Sequence, residues 1–125
     1  MRVNKIIGLL LITTSLYGAS TIANANDLKF GNNSKYNISF SINNVCSKEL
    51  GGIEQHTIKT IDQSTFDEVC KYSPHQCAID VYTKENCTGK SVANMVFDNT
   101  NIISISSAAD IMIAGNGSNV FFNNL

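Results

Sequence analysis

Cys70-Lys71-Tyr72-Ser73-Pro74-His75-Gln76-Cys77-Ala78-Ile79-Asp80-Val81-Tyr82-Thr83-Lys84-Glu85-Asn86-Cys87 is the stretch whose reading decides the fold. It holds three of the four cysteines, the only proline and one of the two histidines. Between two turn-forming ends, Cys77, Ile79 and Val81 share one parity and Ala78, Asp80 and Tyr82 the other. That is the period of a strand with one face buried. A strand flanked by cysteines in a short chain points to a small β domain held by disulfides.

Spacing narrows the pairing. An extended run from Cys77 to Thr83 carries the chain about 20 Å away at roughly 3.3 Å per residue. A disulfide needs Cα atoms near 5.5 Å, so a Cys77–Cys87 bridge would require an abrupt return. Cys70–Cys77 closes easily over Lys71–Gln76 and leaves Cys46–Cys87 as the long-range staple. Cys46–Cys77 with Cys70–Cys87 is the competing pattern.

Disulfides presuppose export, and the N-terminus supplies a signal for it. Met1-Arg2-Val3-Asn4-Lys5 is basic, Ile6 to Leu16 is mainly apolar, and Ala23-Asn24-Ala25 has the small-x-small form of a cleavage site. The apolar run is about half the roughly 20 residues that a membrane-spanning helix needs. Residues 1–25 are therefore expected to be a signal peptide cleaved after Ala25. Residues 26–125 are expected to form one β domain in the periplasm or outside the cell, with no membrane insertion after cleavage.

The exported part has seven lysines, no arginine and ten carboxylates, a net charge of −3 with histidine neutral. Scattered lysines without arginine fit poorly with phosphate-backbone binding, so no nucleic-acid partner is expected.

Outward from the central stretch the strands are short. Leu28-Lys29-Phe30 precedes the turn cluster Gly31–Ser34. Tyr36, Ile38, Phe40 and Ile42 alternate with Asn37, Ser39 and Ser41, predicting a strand with its serines toward water. Val45 to Gly52 reads as a loop. Ile53 to Ile61 reads as a strand with a bulge near His56-Thr57. Thr65 to Cys70 reads as a strand, with a helical turn capped by Ser64 as the alternative. Ser91–Phe97, Ile102–Ser106, Asp110–Ala114 and Asn119–Phe122 complete the set, and Gly115-Asn116-Gly117-Ser118 is a strong hairpin signal. The expectation is an all-β fold: a small antiparallel β-sandwich or barrel of roughly seven to eight strands, stapled by two disulfides.

No motif for turnover stands out. His56 and His75 are the only candidates for general acid–base catalysis. The cysteines lack the close pairs of a zinc site, and His75, Met95 and Met112 make a poor copper set because the methionines read as core residues. No cofactor and no metal is expected. Four N-x-[ST] sequons occur, at Asn32, Asn37, Asn86 and Asn116.

The reading that fits best is an exported, non-enzymatic binding or interaction protein for a protein or glycan ligand. Tyr72, Pro74 and His75 form its candidate contact loop, and Lys84–Lys90 is a second candidate surface. The alternatives are a small secreted hydrolase using His56 and His75, and an enzyme inhibitor presenting the Cys70–Cys77 loop as a rigid insert. The export signal makes one direct prediction. The mature protein recovered outside the cytoplasm begins at Asn26, as read by intact mass and N-terminal sequencing; a species retaining Met1 there contradicts it.

Overall fold

The computed structural model describes residues 27–107 and 109–125. The expected signal peptide and its cleavage site lie outside the described residues. Among those described, the order is β1 (Leu28–Asn32), β2 (Ser39–Ile42), β3 (Val45–Cys46), β4 (Thr57–Ile61), α1 (Gln63–Val69), β5 (Cys77–Tyr82), β6 (Ala93–Asp98), β7 (Asn101–Ser107), β8 (Ile111–Asn116) and β9 (Asn119–Asn124). The strands form two sheets, ordered β4-β1-β9-β8 and β3-β2-β5-β6-β7. The all-β, disulfide-stapled expectation holds, with nine strands in place of seven to eight. Every strand pair is antiparallel except β1 and β9, which run parallel from Lys29 opposite Asn119 to Asn32 opposite Phe122.

Alternation along the strands explains the core. Leu28 and Phe30 of β1, Phe40 of β2, Ile79 and Val81 of β5, Met95 and Phe97 of β6, and Val120 and Phe122 of β9 are all buried. Phe30 stacks on Phe40 across the gap between the sheets with ring centroids 5.0 Å apart, and Phe122 lies 5.7 Å from Phe30 and 5.9 Å from Phe40. Each such ring contributes roughly 1.5–3 kcal/mol by leaving water.

One side of the sandwich is nearly sewn shut. The edge strands β7 and β8 meet where Ile102 N–H donates to Gly117 O at 2.9 Å and Ser107 Oγ donates to Ile111 O at 2.7 Å. Gly115 permits the close approach, since a Cβ there would sit 2.9 Å from Ile102 Cγ2. On the other side, the segment between β3 and β4 buries Leu50 and Ile53, and Ile53 bridges to Ile38.

Several local expectations are corrected. Residues 65–70 are not a strand: α1 runs from Gln63 to Val69, and its cap is Asp62, not Ser64, with the Asp62 carboxylate accepting from Thr65 N–H at 2.8 Å. Phe66 and Cys70 are both buried, which a four-residue helical repeat explains. A strand would have buried Glu68 with them, and Glu68 is exposed. Bonds from the Thr65 N–H and from the Thr65 and Ser64 hydroxyls hold the Asp62 carboxyl below its ordinary value of 3.8. A lowered folded-state value means the cap stabilises fully above that pH and weakens as pH falls below it.

Residues 53–61 are not one bulged strand. A turn with His56 at φ 58° separates the Ile53 bridge from β4, which accounts for the slip in alternation. Val45 and Cys46, read as loop, form β3, joined to β2 through Asn43 and Asn44 at φ 53° and 64°. Ser39 and Ser41 are buried, not turned to water: the chain after β5 folds over Ser39, and Ser41 Oγ meets the Tyr82 hydroxyl of β5 at 3.1 Å. Ser39 Oγ donates to Lys84 O at 2.6 Å and accepts from Cys87 N–H at 2.9 Å.

Asn32 is 1 % exposed and ties three segments together. Its Nδ2 donates to the carbonyls of Tyr36, Ile53 and Glu54 at 2.8, 3.0 and 3.2 Å, and its Oδ1 accepts from Ser34 N–H and Oγ. Replacing Asn32 with Ala removes the donors and strands buried polar groups. Asn32→Ala is expected to cost about 2–4 kcal/mol in urea denaturation. A loss within experimental error contradicts the role assigned to this amide.

Candidate functional site

All six residues from Lys71 to Gln76 are exposed, and Tyr72 is 83 % exposed. Such a loop would ordinarily be mobile. Here it is fastened at several points. The Cys70–Cys77 disulfide closes it with Cα atoms 5.7 Å apart. Inside, Ser73 N–H donates to Cys70 O at 3.0 Å and Gln76 N–H to Ser73 O at 3.3 Å. From the β6–β7 turn, Asn99 N–H donates to Pro74 O at 2.7 Å. His75 Nδ1 lies 2.8 Å from Asp98 Oδ1, so the imidazole joins the same turn.

His56 is placed elsewhere, in the turn before β4 on the other sheet. Among the described residues no hydrogen bond links the two imidazoles, and His75 spends one ring nitrogen on holding its own loop. Met95 is wholly buried while Met112 is half exposed, and no cluster of three metal-ligating side chains occurs among the described residues.

The structure adds a second wall beside Tyr72. A groove of about 230 Å³ is lined by Ile42, Val45, Cys46, Val69 and Tyr72, with Glu49 and Glu68 among its polar residues. Val45 is 68 % exposed. Sequence reading had placed Val45 in a loop and Val69 in a strand, and so missed the groove. The Asn43-Asn44 pair, tolerant of positive φ, was the available hairpin signal. Lys71 Nζ sits 5.3 Å from the Tyr72 ring centroid and pairs with Glu68 Oε2 at 3.2 Å. That carboxylate, first by its hydrogen bond and then by its charge, raises the pKa of Lys71.

A second cleft, about 310 Å³, lies on the other flank of Cys46. Asn37, Lys48, Glu54, Glu85 and Asn86 line it. Asn37 Nδ2 donates to Glu85 Oε2 at 3.1 Å, and Asn37 Oδ1 accepts from Gln55 N–H at 3.2 Å. The turn Glu85–Cys87, part of the second candidate surface, thus forms one bank of this cleft. Of the four sequons, Asn32 is buried and Asn37 half buried, while Asn86 and Asn116 are exposed.

Cys46–Cys87 is the other disulfide, with Cα atoms 5.7 Å apart. The expected pairing therefore stands, and all four cysteines are bridged. The two bridges differ in setting. Cys70 and Cys77 are buried, whereas Cys46 is exposed and belongs to both the groove and the cleft.

No protein-family model matches the sequence, and no curated protein matches it. Among solved structures, the chain is similar to the Legionella pneumophila type II secretion system substrate NttC, with a TM-score of 0.66 and 14 % identity. The match covers 80 % of this chain and 98 % of that one. At that identity the likeness concerns the fold. That this chain carries two disulfides is consistent with export.

Burial orders the two bridges by reactivity, because exchange requires a thiolate to reach the sulfur. Mild dithiothreitol at neutral pH is expected to open Cys46–Cys87 first. Alkylation and peptide mapping should find label on Cys46 and Cys87 in folded protein and on Cys70 and Cys77 only after denaturation. Equal labelling of all four in folded protein contradicts this order.

Proposed function

We propose that this protein is an exported, non-enzymatic recognition module, working in the periplasm or outside the cell, and that Tyr72–His75 is its contact loop. One observation supports this above all. A fully exposed segment with an aromatic tip is fastened by a buried disulfide, by Asn99 N–H on Pro74 O, and by His75 on Asp98. Ordering a loop before the partner arrives removes part of the entropic cost of binding. Tyrosine brings large contact area with only two side-chain torsions to fix. His75 serves here as a fastener, its Nδ1 engaged with the Asp98 carboxylate.

The partner is a macromolecule. An exposed loop supplies a convex contact, whereas small ligands are held in enclosed sites.

The test uses the disulfide-intact chain from Asn26 to Leu125, immobilised and exposed to material from the organism's surroundings. Tyr72→Ala with His75→Ala should lower capture of any specifically retained partner at least about tenfold, the loss of a central aromatic anchor. Undiminished capture by a folded double variant removes the loop from the function. Release of product from candidate substrates by the wild type, lost on substitution of both histidines, replaces recognition with turnover.

A further inference from the structure

Resting on the recognition reading above, we infer that the groove beside Tyr72 takes an extended polypeptide segment that sets an apolar side chain between Val45 and Tyr72 and a lysine or arginine beside Glu49. Three observations lead there.

The first is that the groove is held open. Its walls are β3 and the end of α1, and each is tied by its own disulfide: β3 through Cys46–Cys87, the helix end through Cys70–Cys77. Apolar walls free to move would close on each other to remove Val45 and Tyr72 from water. The bridges keep that surface exposed. At about 230 Å³ the groove is smaller than the sites that enclose whole small-molecule ligands, and it suits one or two side chains.

The second is the backbone. β3 is an edge strand, paired only with β2. Ser47 N–H donates inward to Phe40 O at 2.8 Å, and Ser41 lies opposite Cys46. Alternation along an antiparallel ladder then turns the N–H and C=O of Cys46 outward. Cys46 borders the groove, so an incoming extended chain can pair with its main chain while a side chain enters the groove.

The third is charge. Glu49 and Glu68 stand beside the groove. Glu68 shares its charge with Lys71, while Glu49 has no ion pair among the described residues. The exported chain as a whole is at −3. A cation flanking the apolar side chain is favoured, and a carboxylate is repelled.

The probes are two short labelled peptides carrying the same Leu-Phe pair, one flanked by lysines and the other by glutamates. Binding is followed by fluorescence anisotropy and by NMR shifts of the methyl groups of Val45 and Val69 and the ring of Tyr72. The lysine peptide is expected to bind about threefold to fivefold more tightly than the glutamate peptide, the scale of an exposed ion pair. Glu49→Lys should abolish or reverse that preference, and Val45→Lys should reduce binding of the lysine peptide at least about tenfold. Both substitutions are at exposed positions, so the fold should survive. Replacing Cys46 and Cys87 together by Ser should weaken binding while the buried bridge still holds Tyr72–His75.

Shifts absent from the groove residues overturn the assignment, as does equal binding of the two peptides. Groove shifts that grow with protein concentration alone overturn it in favour of a second copy. If Val45→Lys and Glu49→Lys leave capture of a natural partner intact while Tyr72→Ala with His75→Ala removes it, the groove assignment fails and the loop reading stands. If the groove variants lose a natural partner and the loop double variant keeps it, the loop reading fails and so does the placing of an apolar side chain against Tyr72.

Discussion

The stacking of Phe30 on Phe40 is the contact on which the rest depends. One ring belongs to the second strand of the four-stranded sheet, the other to the second strand of the five-stranded sheet. Each sheet by itself has one apolar face and no means of burying it; the paired rings make the two faces one interior. Phe122 and Phe97 close around Phe30, and Phe66 brings the only helix described onto Phe97 at 5.6 Å. The helix is anchored through Phe66 and Cys70, with Val69 half buried against the core, and the chain just past its end presents Tyr72 outward. Core packing and the exposed surface are thus two ends of one short helix.

Around that interior, covalent and polar ties do what a larger hydrophobic core would otherwise do. A domain built from residues 27–125 buries a smaller share of its surface than a large domain. Asn32 draws the loops at Tyr36 and Glu54 together from inside. Ser39 gathers the turn after β5 by bonding Lys84 O and Cys87 N–H. Gly31 contributes by omission: Phe121 Cδ1 stands 2.7 Å from where a Cβ would be, so an edge of the ring fills that space against β1. These ties concentrate near β3 and the turn at Glu85–Cys87, where the groove and cleft are found.

Much of the architecture was legible because period-two alternation survives in β5, β6 and β9. The length of β5, which carries the chain away from Cys77, argued against a Cys77–Cys87 bridge, and the structure decides between the two pairings that remained. What escaped reading has identifiable causes. In Gln63–Val69, Phe66 with Cys70 fits helix or strand until the exposure of Glu68 is known. The buried Ser39 and Ser41 look like solvent-facing residues because their partners are distant in sequence: Lys84, 45 residues on, for Ser39, and Tyr82, 41 residues on, for Ser41. The parallel pairing of β1 with β9 leaves no local trace, since neither strand's sequence encodes direction. The groove escaped for the same reason: its walls, Val45 and Tyr72, meet only through tertiary structure. The exposed, disulfide-closed stretch holding Tyr72, Pro74 and His75 was legible because Cys70 and Cys77 bracket it in sequence.

The pairing of the first strand with the last also bears on how the chain travels. β1 sits between β4 and β9, and Phe30 faces Val120, some ninety residues later. Closing so wide a loop has an entropic cost that no local contact offsets, so β1 acquires its second neighbour only after synthesis is complete. Until then one edge of β1 has no partner, and the sheet is short of its third member. A sheet built this way stays open for as long as its tail is missing. Delayed closure of this kind suits a polypeptide that must be threaded across a membrane before it sets.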